Sequence, residues 1–102
     1  MFEVLEELIK TVRERKNASA DKSYTKKLLE DKNLCREKVM EEINELFQTL
    51  DQQKNQTHEA ADVFYHLLTL LEANDVKAED VMKELRKRQG ISGLVEKANR
   101  QK

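Results

Sequence analysis

Two helical patterns fill the stretch from residue 33 to residue 72, NLCREKVMEEINELFQTLDQQKNQTHEAADVFYHLLTLLE. Apolar residues recur in each at intervals of three and four, the period of an amphipathic α-helix. The first helix is predicted to begin near Asn33, a residue type favoured at N-caps, and to end near Gln52. Polar residues 51–56 predict a turn, and Thr57 is expected to cap a second helix that ends at Glu72.

The same period continues on both sides of this pair. Proline is absent and both glycines follow residue 89, so little in the chain interrupts a helix before that point. Further helices are predicted at 2–15, 23–30 and 78–88, with a loop at 16–22, a turn at 90–93 and a weakly helical piece after it. The predicted fold is all-α, a bundle of about five helices in a single domain over residues 1–102.

Composition excludes several classes of protein. The 19 basic and 20 acidic residues nearly cancel, so the basic excess typical of nucleic-acid binding is missing. No apolar run approaches the ~20 residues of a membrane span, and the acidic, amphipathic N-terminus is unlike a signal peptide. Cys35 is the single cysteine, so it forms no internal disulfide or cysteine metal cluster and is expected to be a small buried or boundary residue. We expect a soluble, cytoplasmic protein.

The apolar content predicts self-association. Aromatic residues make up 5% of the 102 residues and tryptophan is absent, so one copy builds only a thin core. Small domains of this kind often bury further apolar surface by oligomerising. We therefore expect a homodimer.

Acidic residues collect on one face of each central helix. Glu41, Glu42 and Glu45 share a face of the first, and Glu59 and Asp62 share a face of the second, when placed at ~100° per residue. If the helices pack antiparallel across their short turn, the two faces can meet at one edge of the interface. Converging carboxylates repel unless a cation neutralises them, and all-oxygen ligands suit Mg²⁺, with Mn²⁺ as an alternative.

Other interpretations of these acids remain open at this point. A helix of a highly charged chain often carries such a run as a solvated face. A di-iron bundle needs a Glu-x-x-His step on two helices, and neither His58 nor His66 has an acid three residues before it. His66 is expected to be a buried, hydrogen-bonded histidine.

The spacing resembles the EExxE…ExxD signature of the all-α, MazG-like nucleotide pyrophosphohydrolases. KVMEEINE at residues 38–45 is followed, after thirteen residues, by EAAD at 59–62. The flanks are similar to the phosphoribosyl-ATP pyrophosphohydrolase family of histidine biosynthesis, and the similarity covers nearly the whole chain. The flanking motifs are RKN at 15–17, SYT at 23–25, YHLL at 65–68, RQGISGL at 88–94 and EKA at 96–98.

This resemblance implies a MazG-like fold and Mg²⁺-dependent cleavage between the α and β phosphates of phosphoribosyl-ATP, which yields phosphoribosyl-AMP and pyrophosphate. It implies a metal-bound carboxylate cluster that activates water. The expected metal ligands are Glu41, Glu42, Glu45, Glu59 and Asp62. The first three are also the catalytic candidates, with Glu41 either a ligand or the residue that orients water.

Cations are expected around a substrate with several phosphates. Lys38 falls among the three glutamates on the helical wheel, where it either contacts phosphate or forms a salt bridge with Glu42. The other candidates for substrate binding are Arg13, Arg15, Lys16, Ser23 and Tyr24. Each has a structural alternative: the cations suit a helix C-terminus, while Ser23 and Tyr24 suit capping and packing.

Two residues depart from the family pattern. Met40 stands where the family usually has glycine, so it could shift the glutamates or a neighbouring helix, or be a harmless helix-favouring change. Gln89 stands where the family has histidine. Two rival functions are a house-cleaning nucleotide pyrophosphatase of the same superfamily and a non-catalytic helical dimerisation module.

Overall fold

The two central helices form the frame of the structure, a computed structural model that describes residues 1–89. Those residues contain five α-helices, one 3-10 turn at Arg15–Asn17 and no β-strand, so the all-α prediction is confirmed. The predicted turn at 90–93 and the helical piece after it lie outside the described residues. The helices are α1 (Glu3–Glu14), α2 (Tyr24–Glu30), α3 (Lys32–Gln52), α4 (Gln56–Ala73) and α5 (Ala78–Arg88).

The cap predicted for α3 is wrong. Asp31, not Asn33, is the N-cap, and its side chain accepts a hydrogen bond from the Leu34 N–H at 3.0 Å. Asn33 already lies in the first turn of α3. Both residues are of a type that caps helices, and the helix begins one residue earlier than Asn33 because α2 and α3 are separated by Asp31 alone.

The cap predicted for α4 is also wrong. α4 begins at Gln56, and its N-cap is Asn55, whose side chain makes no capping hydrogen bond. Gln53 ends α3 with φ 54° and Asn55 precedes α4 with φ 62°, so two left-handed residues reverse the chain within three positions. Asparagine tolerates this conformation better than most residues. The short turn makes α3 and α4 antiparallel neighbours.

The remaining helices pack around this pair. α2 contacts both α3 and α4, α1 lies against α4, and α5 touches the end of α4. The buried apolar core is small among the described residues and consists of Val12, Leu28, Cys35, Val39 and Ala78. His66 and Thr69 of α4 are buried with it. The expectations for Cys35 and His66 are confirmed.

An ion-pair network fixes α1 and the adjoining turn to α4 and α5. The Arg13 guanidinium donates to Glu72 at 3.1 Å and to Glu79 at 2.6 Å, and Lys16 Nζ lies 2.7 Å from Glu72. The Glu72 side chain is only 13% exposed. Burial alone would raise its pKa, but the hydrogen bonds from Lys16 and Arg13 outweigh burial and lower it. Glu72 is therefore a charged anchor for two cations.

Within residues 1–89, every helix is either too short or too polar to cross a membrane.

Candidate metal and active site

Three glutamates meet between α3 and α4. Glu42 is the middle residue of α3, Glu45 lies three residues further on, and Glu59 lies in the first turn of α4, so the antiparallel packing of the two helices brings the three side chains together. One carboxylate oxygen of each lies within 4.8 Å of the others, and all three side chains are half-buried. The structure thus brings together three of the five carboxylates that the sequence proposes as metal ligands.

Asp62 extends this cluster by one turn of α4. Its carboxylate, that of Glu59 and a ring nitrogen of His58 also lie within 4.8 Å of one another. His58 Nε2 is 3.4 Å from Asp62 Oδ2. Because Glu59 belongs to both groups, the residues form one continuous patch. Sequence reasoning considered His58 only as a di-iron ligand; its i, i+4 spacing from Asp62 was the signal that it faces the acids.

Two side chains of this patch have raised pKa values. Burial, together with the charges of Glu45 and Asp62, raises the pKa of Glu42 to about 7. Burial and Glu45 also raise the pKa of Glu59. Among residues 1–89, Glu42 Oε2 and Glu59 Oε2 are buried without a hydrogen-bond partner.

These two orphaned oxygens test whether a cation fits. A buried carboxylate oxygen that accepts no hydrogen bond carries a desolvation cost that metal coordination removes. The cluster offers oxygen ligands from two helices, which is the donor set of Mg²⁺ and Mn²⁺. The residues present therefore fit a divalent hard cation.

Glu41 and Lys38 lie beside the cluster and pair with each other. Lys38 Nζ is 3.0 Å from Glu41 Oε2. Lys38 therefore pairs with Glu41, and not with Glu42 as predicted. The Glu41 side chain is half exposed and is not one of the carboxylates brought together with Glu42, Glu45 and Glu59.

Ser23 and Tyr24 lie at the start of α2, which packs against α3 and α4. Ser23 is the N-cap, and its Oγ accepts a hydrogen bond from the Lys26 N–H at 3.1 Å. The Tyr24 hydroxyl lies 3.1 Å from His66 Nε2. Burial raises the pKa of Tyr24, Lys38 opposes that shift, and the Glu42 charge adds to it. Both structural roles considered for these residues, capping and packing, are present.

Arg13 and Lys16, near the end of α1, lie away from the carboxylate cluster. Arg13 and Lys16 are bound to Glu72, which follows Glu59 by thirteen residues, or about 20 Å along α4. Arg15 begins the 3-10 turn and is exposed. Within one chain, the structure does not bring Arg13 and Lys16 to the carboxylate cluster.

The chain is similar to known proteins over nearly its whole length. The family model described as phosphoribosyl-ATP pyrophosphohydrolase matches residues 5–89. The phosphoribosyl-ATP pyrophosphatases of Neisseria meningitidis serogroup B and Cereibacter sphaeroides are each 46% identical to this chain, over 95% of it and over 94% and 97% of their own lengths. That of Geobacter metallireducens is 41% identical over 98% of this chain and 94% of its own length.

The chain belongs to the phosphoribosyl-ATP pyrophosphohydrolase family. The family match extends over every site residue named above, from Arg13 to Asp62. The resemblance carried by the acidic motif and its flanks is thereby confirmed.

Met40, where the chain departs from the family pattern, lies on the exposed side of α3. Met40 is 59% exposed, and the residues that share its open surface all belong to α3. Its side chain therefore displaces no helix within the described chain. Cys35 and Val39 form the buried face of α3.

Proposed function

We propose that this chain hydrolyses phosphoribosyl-ATP to phosphoribosyl-AMP and pyrophosphate, the second step of histidine biosynthesis, in the cytoplasm. The proposal is supported by membership of the family and by the relatives of 46% identity named phosphoribosyl-ATP pyrophosphatase. The structural observation that carries it is the convergence of Glu42, Glu45 and Glu59 within 4.8 Å. A nucleotide substrate is the partner that follows.

The proposed ligands of a Mg²⁺ ion are Glu42, Glu45, Glu59 and Asp62. The two buried oxygens without hydrogen-bond partners, on Glu42 and Glu59, support this set. When bound, the ion supplies Lewis-acid stabilisation of charge on phosphate oxygens and lowers the pKa of a coordinated water.

The side chains of this site then position the substrate and the attacking water. Carboxylate oxygens of the cluster that do not contact the ion hold the attacking water and accept its proton. Lys38 lies at the edge of the cluster, where its ammonium can turn from Glu41 to a substrate phosphate. Glu41 is then left to orient water. Ser23 and Tyr24 border the substrate on the α2 side.

The cations near the end of α1 have two different proposed roles. Arg13 and Lys16 are held by Glu72 and Glu79, so their structural role is well supported and a phosphate contact within the same chain is not. Arg15, which is exposed, stays a candidate for substrate binding.

We also propose that the protein is a homodimer. Large apolar side chains on α3 and α4 are open to water: Phe64 is 60% exposed and Phe47 58% exposed. Burying such residues is favourable by about 25 cal/mol per Å² of apolar surface, and the core within one chain is thin. A second copy that covers these two helices supplies the missing apolar contact. Members of this exposed set are Met40, Phe47, Leu50, Phe64 and Leu67.

The deciding experiment measures pyrophosphate release from phosphoribosyl-ATP with and without Mg²⁺. We expect metal-dependent release by the wild type and a loss of about 100-fold or more in Glu45→Gln, which keeps the shape of the side chain but removes its charge. Glu37→Gln is the matched control, because Glu37 is an exposed glutamate of α3 outside the cluster.

Two outcomes contradict the proposal. Turnover of dUTP or another nucleoside triphosphate with none of phosphoribosyl-ATP would indicate a different nucleotide pyrophosphatase. Thermal stability and activity that ignore both Mg²⁺ and Glu45→Gln would indicate a non-catalytic helical module.

A further inference from the structure

The outward face of α3 carries an apolar stripe that is open to water. Met40, Phe47 and Leu50 are 59%, 58% and 51% exposed. Together with the half-buried Ile43 they recur at intervals of three, four and three residues. This is the spacing by which one helix packs lengthwise against another. The stripe therefore has the form of a helix–helix contact, although more than half of each of its three exposed side chains meets solvent.

Opposite charges lie at the two ends of this stripe. Arg36 comes one turn before Met40, and Asp51 comes one turn after Phe47. Both charged residues are exposed, and among residues 1–89 neither takes part in an ion pair. Along α3 the order is thus a cation, the apolar residues and an anion. Such an order is complementary to itself when the second helix runs in the opposite direction.

Charge distinguishes the two orientations in which two copies of α3 can pack. In a parallel pair each charge faces its own copy, so arginine meets arginine and aspartate meets aspartate. In an antiparallel pair Arg36 of one copy meets Asp51 of the other, and a two-fold axis repeats the contact. The same alignment places Met40 level with Phe47, since each lies four residues from its charged neighbour. The dipoles of the two helices also favour the antiparallel arrangement.

The other exposed apolar helix, α4, is a poorer partner for this stripe. α4 contains no lysine or arginine. Its three carboxylates are engaged elsewhere: Glu59 and Asp62 belong to the acidic cluster, and Glu72 binds the cations near the end of α1. If a second copy placed its α4 on the stripe, the charges at both ends of the stripe would stay unpaired. Charge complementarity therefore favours a second α3.

We propose that the homodimer forms through an antiparallel pair of α3 helices, in which Arg36 of each copy binds Asp51 of the other and the two-fold axis passes beside Asn44. The exposed apolar side chains of α4 flank this pair. The assignment rests on the homodimer proposed above and names its contact surface, orientation and alignment. The stripe is centred roughly 150° around α3 from Glu42 and Glu45, so the second copy leaves the acidic cluster of each chain open to substrate.

Cysteine cross-linking tests the orientation and the alignment. A short bismaleimide should join two copies of Asn44→Cys, because residue 44 lies beside the axis and close to its own copy. Asp51→Cys should give no such product, since in the antiparallel pair the two copies of residue 51 are about 22 Å apart along the helix. The wild type, in which Cys35 is buried, is the control. Cross-linking at both positions would indicate a parallel pair and would overturn the proposal, as would cross-linking at neither.

Charge reversal tests the ion pairs. At low salt, Arg36→Asp and Asp51→Arg should each raise the dissociation constant of the dimer about tenfold in sedimentation, since two like-charge contacts replace two ion pairs. The double variant restores opposite charges and should return to within about threefold of the wild type. Arg86→Asp reverses an exposed arginine of α5 and is the matched control, which should leave the constant unchanged. A double variant as weak as either single variant would overturn the pairing.

These outcomes separate the α3 contact from the proposals on which it rests. A dimeric wild type with neither cross-linking at residue 44 nor rescue by the double variant would keep the homodimer and overturn the α3 contact. A monomeric wild type would overturn both. If the wild type fails to hydrolyse phosphoribosyl-ATP but both tests succeed, the proposed function fails and the antiparallel α3 pair stands.

Discussion

Glu42 lies half-buried between α3 and α4, beside Glu45 and Glu59 and without a partner for one of its oxygens. Such a residue weakens a metal-free fold, because its charge is desolvated and repelled by its neighbours. A divalent cation would be attracted by the same features, a desolvated carboxylate and its negatively charged neighbours. If the proposed cation binds here, the stability of the metal-free fold and the affinity for the cation oppose each other at Glu42, and both can be measured.

The metal-free protein should lose stability as pH rises from about 5 to about 8. The pKa of Glu42 is raised from 4.5 to about 7 in the folded state. Between these values the folded protein holds a proton that the unfolded chain has released, so each step up in pH disfavours folding. Urea unfolding across this range with a chelator present measures the effect; Glu42→Gln should show a flatter profile. Equal slopes would show that Glu42 is not responsible.

Replacing Glu42 by glutamine should have opposite effects with and without metal. At pH 8 without metal, we expect the melting temperature to rise by about 4–8 °C, corresponding to ~1 kcal/mol, because a buried charge is removed. The stabilisation that Mg²⁺ gives the wild type should disappear. Thermal melts at fixed protein concentration measure both, with Glu37→Gln as the control. A Mg²⁺ shift of wild-type size in Glu42→Gln would remove Glu42 from the ligand set.

At the scale of elements, the boundaries of the helices depend on single capping residues. Asp31 accepts the Leu34 N–H, whereas Asn33 lies inside the helix. Asp31→Ala should cost about 1 kcal/mol of the free energy of unfolding. Asn33→Ala should stay within about 0.5 kcal/mol. Chemical denaturation of the two variants compares them directly; a larger loss in Asn33→Ala would mean that the sequence-based cap was correct.

The attachment of α1 to α4 and α5 depends on Glu72. Its removal leaves Arg13 and Lys16 facing each other beside a mostly buried position. We expect Glu72→Gln to cost about 1–3 kcal/mol without changing the Mg²⁺-induced shift in melting temperature. Glu84→Gln, which breaks the exposed pair with Arg88, is the control and should cost less than about 1 kcal/mol. A lost Mg²⁺ shift in Glu72→Gln would link this end of α4 to the metal site.

At the scale of the whole molecule, the proposed homodimer would bury the exposed apolar side chains of α3 and α4. Phe64→Lys should convert a dimer into a monomer, because a charge placed at the centre of an apolar interface is costly to desolvate. Val4→Lys alters an apolar residue of α1 that is even more exposed than Phe64, and it should leave the dimer intact. Sedimentation velocity distinguishes the two species. A monomeric wild type would refute the homodimer.

Much of this architecture follows from sequence periodicity. α5 was predicted at 78–88 and occupies Ala78–Arg88, since a 3.6-residue apolar period is a strong local signal. The approach of the Glu42 and Glu59 faces was predictable for a related reason: a short polar turn forces neighbouring helices to pack antiparallel.

Other features leave no local trace in the sequence. Arg13 pairs with a residue 59 positions away, and only the packing of α1 on α4 determines that partner. The N-cap of α3 was missed because Asp31 and Asn33 are both residue types that cap helices and lie only two positions apart. The orientation of Tyr24 depends on His66 of another helix, and no spacing within α2 encodes it.

The burial of Cys35 gives the molecule a built-in kinetic reporter. Its side chain is fully buried, with Sγ 4.0 Å from the carbonyl oxygen of His66, and burial raises the pKa of the thiol. A thiol reagent reaches it only when the junction of α2, α3 and α4 separates. Since Cys35 is the single cysteine of the chain, its rate of chemical labelling measures how often that junction opens. The same rate, followed while ligand is added, shows whether occupancy of the site holds the three helices closed.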